Sequence, residues 1–197
     1  SAYENAKFII TVSDYSVNYL KKMFPSMKSK IVKINFSVNR NKIKIAKKTK
    51  KICKRYNVKF LVNDDPFLAK EINADGCHLG QNDMHINKAR KLLKKKIIGI
   101  TCHNSIRLAK EAIKNKPDYI ALGAFSSSKT KKVKFKAETN LLIKVKKFTP
   151  MPIVAIGGIN NLNYKKLLLN KANFLAISSY IWNNKKLKPE EAIKELR

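Results

Sequence analysis

Eight short runs of apolar, largely β-branched residues recur along the chain, at 8–12, 30–36, 59–62, 76–79, 97–101, 119–122, 153–156 and 174–178. Runs of this length between polar or glycine-bearing segments are what buried strands require. Most of the gaps hold amphipathic stretches of helical length. Residues 43–56 set Ile43, Ala46, Ile52 and Cys53 among lysines, and 104–114 carries Ile106, Leu108, Ala109 and Ile113. Strands that alternate with such helices form right-handed βαβ units and a parallel sheet. Eight is the strand number at which that sheet closes on itself, whereas a doubly wound sheet commonly has about five or six. The expected fold is a (β/α)8 TIM barrel of the α/β class. No Pro- or Ser-rich linker and no low-complexity segment divides the 197 residues, so one domain spanning 1–197 is expected.

Composition narrows the chemistry. The 43 Lys and Arg against 13 Asp and Glu leave a net charge of +30, which attracts polyanions, from nucleic acid to a pyrophosphate. Arginine, the residue suited to base edges and bidentate phosphate clamps, stands only at Arg40, Arg55, Arg90, Arg107 and Arg197. The lysine excess, with many Ile and Asn, therefore reads as a compositional bias placed on solvated helix faces, and a nucleic-acid partner is disfavoured. Cys53, Cys77 and Cys102 are odd in number and far apart, which suggests neither a disulfide framework nor a zinc site and fits a reducing cytoplasm. No apolar run is long enough for a membrane span, so no membrane partner is expected.

In a parallel barrel the loops that follow the strands gather on one face, and that face holds the chemistry. After the third run comes Asn63-Asp64-Asp65-Pro66, and just past the fourth comes His78-Leu79-Gly80-Gln81-Asn82-Asp83. Two carboxylates, Asp64 and Asp83, facing one mouth would repel one another unless a cation lay between them. Hard oxygen ligands of this kind suit Mg2+ bound partly through a substrate phosphate. The competing reading is that Asp64 or Asp65 caps a helix that Pro66 begins. The fifth run ends in Thr101-Cys102-His103, where His103 could move a proton near neutral pH. The sixth is followed by residues 123–132, a glycine-fed loop of hydroxyls closed by lysines and suited to a polyphosphate, although such a composition also describes a plain polar loop. After the seventh and eighth runs stand Gly157-Gly158-Ile159 and Ile177-Ser178-Ser179, the two loops where barrels often bind a phosphate on backbone N–H groups.

These segments, in this order, resemble the thiamine-phosphate synthase family. The resemblance rests on Asn63-Asp64, the run from Ala74 to Asp83, Gly99-Ile100-Thr101-Cys102-His103, the loop from Gly123 to Lys132, Ala155 to Ile159, and Ile177-Ser178. It covers 61–179 well and is thin before that. It implies a transferase of thiamine biosynthesis that joins a pyrimidine pyrophosphate to a thiazole phosphate, with release of pyrophosphate through a pyrimidine carbocation. It further implies Asp64 and Asp83 as Mg2+ ligands, Asn63, Thr101 and Lys131 on the pyrophosphate, and Ser128 and Thr130 against the thiazole. The thiazole phosphate would rest on the backbone at Gly158, Ile177 and Ser178. Thr101 stands where the family usually has serine, which keeps the hydroxyl. The sequence departs from the family at the second run, where 33–37 reads Lys-Ile-Asn-Phe-Ser and lacks the Arg and Lys that the family uses on the pyrophosphate; Lys33, Arg40 and Lys42 are the nearby cations that could substitute.

Two alternatives stand beside this reading. A thiazole tautomerase shares the barrel and a histidine after the fifth strand and needs no pyrophosphate clamp. A catalytically degenerate barrel that serves as a basic binding protein is the other, since fold does not fix function. The oligomeric state, a homo-oligomer included, is left open.

Overall fold

The computed structural model describes residues 10–11, 40–126 and 136–196. Within them strands and helices alternate in chain order: β1 (Ile10–Thr11), α1 (Arg40–Arg55), β2 (Phe60–Asn63), α2 (Pro66–Glu71), β3 (Gly76–Leu79), α3 (Ile86–Leu93), β4 (Ile97–Thr101), α4 (Ile106–Lys114), β5 (Tyr119–Gly123), α5 (Asn140–Lys146), β6 (Ile153–Ile156), α6 (Tyr164–Leu169), β7 (Phe174–Ala176), α7 (Ser179–Trp182) and α8 (Pro189–Lys194). Seven of the eight expected strands fall where the apolar runs stand. The remaining one, at 30–36, lies outside the described residues.

The chain divides into two compact units. One holds the described residues up to Leu79 together with Asp83–Ile97; the other holds Gly80–Asn82 and the residues from Ile98 onward. In the first unit β1, β2 and β3 pair in parallel, with Ile10 opposite Phe60 and Asn63 opposite His78. Helix α1 buries Ala46, Thr49 and Cys53, one helical stripe, and leaves Lys47, Lys48, Lys51 and Lys54 in solvent. Lys50 departs from that solvated pattern, because its ammonium donates to the Ile72 carbonyl at 3.0 Å.

In the second unit β4, β5, β6 and β7 pair in parallel, with Thr101 opposite Ala121, Gly123 opposite Ile156 and Ile156 opposite Ala176. Every residue of β5 is buried, as a strand covered on both faces must be. Ile120, Leu122, Leu142 and Ile153 are fully enclosed in this unit's core, and each such side chain contributes about 1.5–3 kcal/mol through removal from water. Helix α4 begins at a serine cap, Ser105, whose hydroxyl accepts from the Leu108 N–H at 3.2 Å. Strand β7 ends at Ala176, two residues earlier than the apolar run, and Ser178 already stands at the N-terminal boundary of the short helix α7.

Candidate active site

In parallel strands the chain leaves each strand at the same edge, and the register carries Asn63 and His78 to that edge of the first unit. Asp64 follows Asn63 with a left-handed backbone, φ 64°, and its N–H donates to the His78 carbonyl at 2.8 Å. The Asn63-Asp64 turn is thus stitched directly to the end of β3, from which the chain runs on to Asp83. Asp65, the next residue, takes the capping role: one carboxylate oxygen accepts the Leu68 N–H at 2.9 Å, and Pro66 opens the helix. Of the two acidic residues that could have capped α2, Asp65 does so, and Asp64 has another place.

The thiol of Cys77 reports the field at this edge. Burial first, and then the charges of Asp64, Asp65 and Asp83, push it up to about 12. Among the described residues no group of three or more His, Cys, Asp or Glu side chains is arranged to hold a metal ion by itself. A pair of carboxylates suits a hard cation whose remaining positions are filled by substrate and water oxygens.

The second unit carries the other described candidates. Gln81 donates its side-chain N–H to the Thr101 carbonyl at 2.5 Å, pinning the end of β4. His103 has φ 50°, and its carbonyl accepts the Gly123 N–H at 3.1 Å. The loop after β6 locks onto the loop after β5 through Phe125 N–H and Ser126 N–H, both donating to the Gly157 carbonyl at 3.2 Å. Gly158 has φ 67°, and a Cβ there would lie 2.7 Å from the Ser126 carbonyl carbon, so the close approach of the two loops needs glycine. The Asn163 amide donates to the Gly158 carbonyl at 2.9 Å, which fixes the peptide next to it. Ile177 and Ser178 follow β7, with Ser178 at the start of α7.

Of the sequence-derived candidates, Asn63, Asp64 and Asp83 fall in the first unit, and Thr101, His103, Gly158, Ile177 and Ser178 in the second. Ser128, Thr130 and Lys131 lie outside the described residues, as do 33–37. The remaining histidines have local roles: His78 is part of β3, and His85 caps α3 by accepting the Asn87 N–H at 3.3 Å. The asparagines were missed in the sequence, where they read as compositional bias. Asn160 and Asn163 brace the turn after Gly158: Asn160 N–H donates to the Asn163 side chain and Leu162 N–H to the Asn160 side chain, each at 2.9 Å. The spacing Gly-Gly-x-Asn-Asn-x-Asn was the available signal, since Asn side chains bond to nearby backbone in turns.

A family model described as thiamine monophosphate synthase matches residues 15–181. The chain is 57% identical over 203 residues to the thiamine-phosphate synthase of Pelagibacter ubique (strain HTCC1062), an alignment covering 98% of this chain and 97% of that one. The chain belongs to the thiamine-phosphate synthase family. A second relative in the family, the thiamine-phosphate synthase of Nitrosospira multiformis, is 42% identical over 72% of this chain and 61% of its own length. As a member of this family the chain is a transferase of thiamine biosynthesis, and the tautomerase and binding-protein alternatives are not favoured. The fold agrees. The structure of thiamine phosphate pyrophosphorylase from Pyrococcus furiosus matches with a TM-score of 0.78 at 24% identity, covering 100% of this chain and 95% of that one. The (β/α)8-barrel type expected from the strand count is therefore the family's fold and this chain's.

Proposed function

We propose that the chain joins a pyrimidine pyrophosphate to a thiazole phosphate, giving thiamine monophosphate and pyrophosphate, and that it works as one barrel domain over 1–197 in the cytoplasm. What supports the site assignment is that Asp64 and the segment leading to Asp83 follow the neighbouring parallel strands β2 and β3. Asp64 and Asp83 would hold Mg2+, which when bound supplies positive charge to a departing diphosphate.

The remaining chemistry falls to the chain's own groups. The Asn63 amide, the Thr101 hydroxyl and the Lys131 ammonium donate to the diphosphate oxygens, and those bonds strengthen as the C–O bond to the pyrimidine breaks and charge collects on the leaving group. The pyrimidine methylene left behind is a carbocation that the ring's amino group stabilises. The thiazole nitrogen captures it when the two rings are held in line, a matter of position more than of acid or base. Ser128 and Thr130 would set the thiazole, and the backbone at Gly158, Ile177 and Ser178 would take its phosphate at the loops after β6 and β7. His103, at the end of β4, is the group available for proton transfer there.

A pyrophosphate-release assay with both phosphorylated substrates and Mg2+ tests the reading. Asp83→Ala and Lys131→Ala are each expected to lower kcat/KM by ~100-fold or more, equivalent to about 2.7 kcal/mol of transition-state stabilisation. Both variants turning over like wild type would overturn the assignment.

A further inference from the structure

The two loops that the proposed function assigns to the thiazole phosphate do not hold their positions by their own bonds alone. Asn161 stands three residues after Gly158, and Tyr180 two residues after Ser178. Both side chains donate to the same oxygen of Glu195, Asn161 Nδ2 at 2.8 Å and the Tyr180 hydroxyl at 2.5 Å. Glu195 terminates α8, which is anchored by Ala192, fully buried, and by the half-buried Leu196 packed against the second unit's core. The helix is closed at its other end by the Lys188 N–H donating to Glu191 at 2.7 Å. A carboxylate on an anchored helix thus bridges the loop after β6 to the first turn of α7.

We infer that Glu195 is a positioning residue for phosphate recognition, fixing the spacing between the Gly158 loop and the Ser178 turn so that their backbone N–H groups converge on one phosphate. The inference rests on the phosphate reading given above. Glu195 touches no substrate in this scheme, and its negative charge cannot itself favour an anion, so its contribution is geometric. The Tyr180 hydroxyl is committed to this bridge: burial first, then the hydrogen bond and charge of Glu195, push it up to about 12, and it donates across the whole neutral range. Ordering two loops in advance lowers the entropic cost of binding and not the barrier to chemistry, so the effect belongs in KM for one substrate.

Steady-state kinetics with each substrate varied in turn test this. Glu195→Ala should raise KM for the thiazole phosphate roughly three- to tenfold, the worth of one or two hydrogen bonds, with kcat and KM for the pyrimidine pyrophosphate within about twofold of wild type. Glu195→Gln, which keeps an acceptor for both donors, should restore most of the loss, and Tyr180→Phe should reproduce part of it. Glu190→Gln, an exposed charge change on the same helix, should leave both KM values alone. Ser178→Asp keeps a residue suited to the N-cap position and adds a negative charge beside the proposed phosphate. If Ser178→Asp raises KM for the thiazole phosphate while Glu195→Ala does not, the bridge is without function and the inference fails by itself. If Ser178→Asp also leaves that KM unchanged, the phosphate site lies elsewhere and the inference falls with it. Equal weakening of both substrates by Glu195→Ala, matched by a lowered Tm and no rescue by Gln, would mark a merely structural role and overturn it as well.

Discussion

The Lys42 ammonium lies 2.8 Å from one carboxylate oxygen of Asp65, while the other oxygen of Asp65 caps α2 through the Leu68 N–H at 2.9 Å. Each side chain is about one-fifth to one-quarter exposed, so the pair is partly shielded from solvent. A lysine from the first turn of α1 is thereby tied to the residue next to Asp64. Of the cations near the divergent 33–37 stretch, Lys33 lies outside the described residues and Lys42 stands beside Asp65.

This pair yields the first prediction. Asp65→Ala removes both cap and ion pair and should cost about 1–2 kcal/mol of unfolding free energy, whereas Asp65→Asn, which can still cap, should cost about half as much. Urea denaturation followed by circular dichroism measures the difference. Equal losses for the two variants would show that the cap contributes nothing.

On the proposed reading Asp64 and Asp83 share one cation, and without it their like charges repel. Asp64→Asn should therefore leave the metal-free protein as stable as wild type, or more stable by about 0.5–1 kcal/mol, and should abolish the stabilisation that added Mg2+ and pyrophosphate together give the wild type. Thermal melts with and without both ligands decide it. A variant that is still stabilised like wild type would place the cation elsewhere.

At Gly158 the left-handed backbone and the 2.7 Å approach to Ser126 leave no room for a methyl group. Gly158→Ala should destabilise by about 1–3 kcal/mol and raise KM for the thiazole phosphate more than KM for the pyrimidine pyrophosphate. Denaturation midpoints and separate KM determinations test the two parts independently.

The buried thiols predict an alkaline loss of stability. Cys77 and Cys102 are each pushed up to about 12 from the ordinary thiol value of 9.0, Cys102 by burial first and then by the charge of Glu111. The folded state thus holds these protons between pH 9 and 12 while the unfolded chain releases them. Stability is full below pH 9 and falls as pH rises through that window, by up to about 1.4 kcal/mol per pH unit for each thiol. Denaturation of wild type and of a Cys77→Ala, Cys102→Ala variant from pH 8 to 11 measures the slopes, and parallel slopes would contradict the prediction. At neutral pH the same thiols should resist alkylation until the protein unfolds.

Much of the molecule is written locally. Strand runs, helix stripes and the proline that opens α2 are short-range patterns, so the alternation of β1 to β7 with helices and the fold type were legible from periodicity and count. So were the strand ends at or just past which Asp64, Thr101, Gly158 and Ser178 stand, because each apolar run stops close to where its strand stops. The choice between Asp64 and Asp65 was not legible: both precede Pro66, and the Leu68 N–H bond to the Asp65 carboxylate, with the Asp64 N–H turned to His78, separates the capping residue from its neighbour. The Glu195 bridge was also hidden, since Asn161 and Glu195 are 34 residues apart and a hydrogen bond between two exposed polar side chains leaves no periodic trace. The amino-acid sequence by itself determined which elements form and which residues occupy their ends, because those follow from neighbours within a few positions. The tertiary structure alone decided which polar side chains meet, because that depends on how distant segments are packed side by side.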